Sequence, residues 1–398
     1  MTHFDVVVLG GGLVGCAAAY YLSKSGARVL LVEQGDINRG ASGRNAGSLH
    51  FQLEYRLIKF GDDQAAQFAQ IIPLSLVAIE DWSRLENELQ SDLEVEMTGG
   101  LIVAESPGDV ALLEKRQSLQ ERWGLPTSLL SAAEVRRRAP YLTDTVSAAS
   151  YCEKEGHANP RLAAPAFARR AVTLGVTIRC RTRATGLQRD GSGWQVAMMG
   201  PGAAPDEVSC DAVLNAAGAW AGEVAAMAHL HLPIFPVPLL MNVIERAPAL
   251  VPHLVQHASK RLTVKQVAAG NTVIGGGWPG RFSRAGSSMD MHRRPEIVVK
   301  NISENLTLVR RLIPAIGRLH LIRTWTGTTG VTADQMPLLG QVPEAPRFYV
   351  AAGGAAFTHG PTYARLISEL ILTGRPSSAI DHYSPARFSH VNNFMGAV

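Results

Sequence analysis

Apolar and polar positions fall into three rhythms along the chain. The N-terminal stretch FDVVVLGGGLVGCAAAYYLSKSGARVLLVEQ runs from an unbroken apolar block through a glycine cluster into an alanine-rich segment with small residues at helical spacing, then into VLLV. Short aliphatic blocks bounded by glycine read as buried strands and longer segments with a 3.6 period as helices, which predicts strand, turn, helix, strand. Near the C-terminus RFYVAAGGAAFTHGPTYARLISELILTG repeats strand, small-residue loop and helix. That helix is expected to start at about Gly360, since Pro361 has no N–H to satisfy in a first turn. Between them VEMTGGLIVAE, LLMNVIE, RLTVKQV and NTVIGGGW read as short strands of a mixed or antiparallel sheet.

Gly10, Gly12 and Gly15 fit G-x-G-x-x-G between the first strand and its helix. The first glycine permits the tight turn, the second lets backbone approach a pyrophosphate, and the third lets helix and strand pack closely, with the phosphates on the helix N-terminus. Glu33 closes the second strand, where a carboxylate holds ribose hydroxyls and disfavours a 2′-phosphate. A dinucleotide, FAD or NAD, is the expected ligand; the competing reading is a bare glycine turn.

Composition narrows the class further. A chain of 398 residues has room for about two domains. A net charge of +4 without a Lys/Arg block speaks against nucleic acid as partner. Cys16, Cys152, Cys180 and Cys210 form no CxxC pair and no Cys/His cluster, so neither zinc nor an iron–sulfur centre is expected, and no other metal-ligand spacing stands out. Apolar runs are broken well short of ~18 residues and the N-terminus lacks a leader pattern, from which a cytoplasmic protein without a membrane span is expected.

RGASGRNAGSLH, residues 39–50, separates FAD from NAD. It resembles the flavin-covering segment of the D-amino acid oxidase superfamily, in the branch of glycine oxidase, sarcosine oxidase and D-amino acid dehydrogenases; a solvated surface loop is the plainer alternative. Later segments resemble the same family in the same order. EGHANPRLAAPAFARRAVTLGVTI (155–178) resembles the helix and strand beside the adenine, RATGL a backbone contact to it, and CDAVLNAAGAWAGEVA the strand and turn under the dinucleotide. The resemblance implies FAD contacts at Gly10, Gly12, Leu13, Val14, Gly15, Glu33 and Gln34, and at Ser42, Arg44, Asn45, Ala46 and Gly47. It also implies contacts at Ala184, Ala217, Gly218 and Trp220, and at Gly354, Phe357, Gly360, Pro361 and Thr362 around the C-terminal helix, whose N-terminus is aimed at the flavin. The implied architecture is α/β, with a discontinuous Rossmann-like FAD-binding domain (1–90, 146–224, 321–398) and a substrate domain built on a mixed or antiparallel sheet (91–145, 225–320).

The same resemblance implies the chemistry: a C–H next to an amine nitrogen gives a hydride to flavin N5, and the imine is hydrolysed. Glycine-oxidase-like members carry Trp-x-Gly-x-Arg-Pro, whereas RTWTGTTGVTADQMPLLG has Thr329 and Gly330 where the carboxylate-binding arginine and proline stand. Arg323 is then the candidate for the carboxylate, with a structural ion pair as the competing role. His50, His359 and Lys265 are candidates to face flavin or substrate, with Gln266 the alternative to Lys265 by strand alternation. Lys59, His157 and His257 read as surface residues. HLVQHASKRLTVKQVAAGNTVIGGGWPG, GGAAFTHGP and the missing arginine look most like flavin (beta) subunits of heteromeric opine oxidases, D-hydroxyproline or proline dehydrogenases, hydrogen cyanide synthase and heterotetrameric sarcosine oxidase. The oxygen-activating lysine that monomeric sarcosine oxidase carries on the strand resembling NTVIGGGW is absent from that strand. The expected substrate is thus a secondary amine or D-amino acid, with electrons passed to partner redox subunits or a quinone. A self-sufficient oxidase and a non-catalytic relay subunit are the alternatives.

Overall fold

A computed structural model of the chain describes residues 2–202 and 204–395. The first strand, Thr2–Leu9, lies at the centre of a parallel sheet, between Val29–Val32 on one side and Asp206–Asn215 on the other. Thr177–Arg179 and Phe348–Ala352 extend it in parallel, and Leu338–Gln341 closes one edge antiparallel. Val6, Val7, Val8 and Leu9 are all buried, as a sheet covered on both faces requires.

The helix Leu13–Lys24 follows the glycine turn and is buried nearly all round. Such a helix belongs inside the protein, and it packs between Ala163–Thr173 and Gly360–Thr373. Alanines 17, 18 and 19 keep it thin enough for that position, and Tyr20 and Tyr21 meet Phe167 at ring separations of 5.7 and 5.9 Å. Gly15 is required here: a Cβ would lie 1.9 Å from the carbonyl oxygen of Gly10.

The second sheet orders its strands as Leu321–Thr332, Ile234–Arg246, Asn271–Gly275, Thr263–Gln266, Leu254–His257, Gly100–Ala104, Ala148–Cys152 and Ser128–Ser131. All neighbours are antiparallel except Leu254–His257 with Gly100–Ala104. Val264, Ile274, Val255 and Leu101 pack on one face against Val309 and Leu312 of the helix Val299–Leu312. By alternation, Thr263 and Lys265 point to the opposite face. This roof corresponds to the expected mixed sheet, with two changes of membership. Leu321–Thr332 and Ala148–Cys152, expected in the flavin-binding part, are roof strands, because each finds its hydrogen-bond ladder with Ile234–Arg246 and Gly100–Ala104. Among the described residues no helix is long and apolar enough to cross a membrane.

Candidate active site

The dinucleotide cradle is built from short local bonds. Glu33 closes the glycine turn, one carboxylate oxygen accepting the N–H of Gly11 at 2.6 Å and the other that of Gly35 at 2.7 Å. Ser42 Oγ accepts the N–H of Leu13 at 2.9 Å, which lays the covering loop on the helix N-terminus. Asn45 folds that loop on itself, accepting from Gly47 N at 2.6 Å and donating to the Ser42 carbonyl at 2.7 Å. Trp325 of the roof donates its indole N–H to the Arg44 carbonyl at 2.8 Å.

This cradle fits FAD. The helices Leu13–Lys24 and Gly360–Thr373 both begin without a cap from their own N-cap side chain and without an acid in the first turn, so that, apart from the Leu13 N–H taken by Ser42, their first turns leave N–H groups and positive dipole ends for anionic or electron-rich groups. Trp220 keeps a buried indole N–H without a partner beside the dinucleotide strand. Two expected contacts are restricted. Thr362 donates its hydroxyl to Asp81 at 2.7 Å, turning away from the cradle. Leu13 and Val14 bury their side chains in the core, so only their backbone is available.

A cavity of about 280 Å³ opens between the covering loop and the roof. Its walls are the loop Ala41–Ala46, the strap that follows it from Ser48 to Glu54, the segment Gly354–His359, and roof residues including Met241, Thr263, Gly327 and Thr329. His50 and His359 share this wall. His50 Nε2 lies 2.8 Å from Glu54 Oε1, while its buried Nδ1 has no hydrogen-bond partner among the described residues. His359 Nε2 meets Ser75 Oγ at 2.9 Å, and its ring stacks on Tyr363 with centroids 5.8 Å apart. Burial, and then the neighbouring His50, push His359 down to about 3, so at neutral pH it is an uncharged ring.

Lys265 is fully buried and meets Ser48 Oγ at 3.1 Å, so it stands behind the strap while Ser48 itself faces the cavity. Burial lowers its ammonium well below the ordinary lysine value. Gln266 points the other way and serves structure, accepting from Leu250 N at 2.6 Å and donating to the carbonyls of Ala247, Pro248 and Gly270. The strand NTVIGGGW carries no lysine, but Lys265 sits directly across from its Val273.

Arg323 does not reach the site. It lies opposite Val243, at the exposed end of its strand next to Leu321 and Ile322, far along the ladder from the lining residues Thr329 and Gly330. Among the described residues Arg44 is the arginine that lines the cavity. His157 and His257, read as surface residues, are buried: His157 lies near Lys265, and His257 meets Glu105 at 3.1 Å. Lys59 is exposed as expected. Sequence reasoning missed Ser48, Gln52, Glu54 and Ser75, all of which line the cavity. Only the Gly-Ser-Leu-His run next to the covering loop gave any signal for them.

Over residues 5–370 the chain matches the DAO family, described as FAD dependent oxidoreductase. The chain belongs to this family. This FAD-dependent oxidoreductase is 27% identical to the glycine oxidase of Geobacillus kaustophilus over 363 residues, covering 89% of this chain and 88% of that protein. It is also 27% identical to a sarcosine oxidase subunit beta of an Arthrobacter species, covering 91% and 87%. The crystal structure of the Geobacillus kaustophilus glycine oxidase superposes with a TM-score of 0.84 at 23% identity, covering 97% and 99% of the two chains. L-proline dehydrogenase from P. horikoshii gives a TM-score of 0.81 at 24% identity, covering 98% and 99%.

Proposed function

We propose that the protein oxidises the carbon–nitrogen bond of a secondary amine or D-amino acid, of the opine, proline or hydroxyproline kind, and passes the electrons to a partner redox subunit or a quinone. Bound FAD supplies the two-electron acceptor for the C–H next to nitrogen. The chain's own task is to bind the amine uncharged, aim that C–H at the flavin and keep water out. The observation that carries this reading is the His50–Glu54 pair at 2.8 Å on the cavity wall: it offers the amine proton an acceptor, facing the uncharged His359. Thr329 and Gly330 line the cavity where glycine-oxidase-like relatives carry an arginine and a proline, which favours a substrate other than glycine. The relatives named glycine oxidase, sarcosine oxidase and proline dehydrogenase support the amine class. The unpaired state of Cys16, Cys152, Cys180 and Cys210 supports a reducing, cytoplasmic setting.

Anaerobic titration with sarcosine, proline, cis-4-hydroxy-D-proline, octopine, nopaline, glycine and D-amino acids tests the substrate. Bleaching of the visible flavin bands by a secondary amine or D-amino acid is expected, with slow reoxidation in air. Reduction by alcohols alone, or by none of these amines, overturns the reading.

One observation favours a second reading, a self-sufficient oxidase that forms peroxide. Lys265 places a buried amine, its ammonium form disfavoured by burial, behind Ser48 at the cavity. Fast reoxidation in air with stoichiometric peroxide selects it over the dehydrogenase.

A further inference from the structure

The strap Ser48–Glu54 brings His50 and Glu54 together although an extended chain carries residues four apart to roughly 13 Å. Their 2.8 Å separation therefore requires the strap to bend between them. That bend is held from outside, by side chains distant in sequence. Glu155 Oε1 accepts the N–H groups of Phe51 at 2.6 Å and Gln52 at 2.8 Å, and its Oε2 accepts the side-chain amide of Gln52 at 2.9 Å. Gln120 Oε1 accepts the N–H of Leu53 at 3.0 Å, and Arg116 Nε donates to the Leu53 carbonyl at 2.5 Å. Ser150 completes the set by donating to Gln52 Oε1 at 2.6 Å.

Glu155, Arg116 and Gln120 are all 0% exposed. A Cβ on Gly100 would stand 1.9 Å from Glu155 Oε2, so the carboxylate occupies space that only a glycine leaves open. Burial pushes Glu155 up, opposed by its donors and by His50. Burial pushes Arg116 down to about 10, opposed by the carboxylates of Glu155 and Glu54, so it keeps its charge at neutral pH. Among the described residues two guanidinium nitrogens of Arg116 have no hydrogen-bond partner. Apolar residues would join strap and roof more cheaply than a buried carboxylate and guanidinium. What the charged groups add is direction: Glu155 grips two consecutive backbone N–H groups and Arg116 the carbonyl that follows.

We propose that Glu155, with Arg116 as its counter-charge, is a positioning residue that bends the strap so that His50 and Glu54 meet the substrate amine. The proposal rests on reading this cavity as the site of amine oxidation.

Glu155→Gln keeps an acceptor for the two backbone N–H groups but removes the charge and turns an amide N–H toward that of Gln52. The limiting rate of anaerobic flavin reduction is expected to fall about tenfold, the loss of a charge-assisted bond. Flavin content should be unchanged and the substrate dissociation constant altered less than threefold. The swap Gln52→Glu/Glu155→Gln restores complementary donors and acceptors and is expected to recover most of the rate. An unchanged limiting rate in Glu155→Gln, loss of flavin, or failure of the swap to recover any rate overturns the proposal. Hydrogen exchange reads the same point without turnover: protection of the Phe51 and Gln52 amides should drop in Glu155→Gln while the helix Gly360–Thr373 is unaffected. If no amine reduces the wild-type flavin, the functional reading fails by itself. Unchanged protection at Phe51 and Gln52 then overturns the positioning claim separately.

Discussion

Lys265 Nζ and Ser48 Oγ meet 3.1 Å apart, joining the underside of the roof to the strap that walls the cavity. The unfolded chain protonates this lysine below its ordinary value of about 10.4, while burial in the folded chain disfavours the ammonium, so its burial costs stability at neutral pH. That cost fades as pH rises toward the ordinary value. Lys265→Met should therefore gain melting temperature relative to wild type at pH 7, with the gap narrowing toward pH 10. A gap that does not change with pH contradicts the weakened hold on the proton. In the oxidase reading the same variant also slows air reoxidation more than tenfold.

Two buried histidines give the opposite end of the pH scale its slope. His359 is pushed down to about 3 and His157 to about 4, both chiefly by burial. As pH falls below about 6.5 the unfolded chain takes up protons that the folded chain refuses, so stability is lost from there down to about 4. Urea midpoints at pH 7 and pH 5 check this. His157→Gln and His359→Gln should each lose less between the two pH values than wild type does.

Glu33→Ala removes two charge-assisted bonds that close the glycine turn, together with the group suited to the ribose hydroxyls. At about 1.5 kcal/mol or more per bond to a charged group, FAD should bind at least tenfold more weakly. The flavin-to-protein absorbance ratio after dialysis measures it, and full retention would count against the cradle.

Gly15→Ala tests the close approach directly. Its Cβ would overlap the Gly10 carbonyl, so helix and strand must separate, at about 1–3 kcal/mol for overpacking a tight core. A melting temperature lowered by several degrees and reduced flavin content are expected together.

Thr329→Arg places a guanidinium in the cavity wall. Flavin content should stay the same while KM for a small free amino acid such as glycine falls. Loss of flavin without any change in preference would show that the cavity is aligned differently.

The glycine turn, Glu33 and the covering loop were legible in the sequence because their contacts are local or set by a short strand–helix–strand unit. Ser42 reaches Leu13 over 29 residues, within the first such unit. The grip on the strap was not legible, since Glu155 lies 103 residues from Gln52 and its role depends on two roof strands and Gly100 agreeing in space. Arg323 was misplaced for a related reason. Its nearness to Trp325 in sequence was clear, but on a strand of 12 residues the distance along the ladder decides which residues meet the cavity. Lys265 against Gln266 was a question of face, settled only when the roof's outer helix claimed Val264.

The pairing of Ile234–Arg246 with Leu321–Thr332 runs in unbroken register from Ile234 to Val243, past residues on the cavity wall, and shifts only before Leu321 at the exposed end. A ladder of that length behaves as a beam: it resists folding across its middle. Past Leu49 the strap on the facing wall is held instead by the side chains of Glu155, Gln120 and Arg116, so the firmness of that wall hangs on three groups far away in the chain.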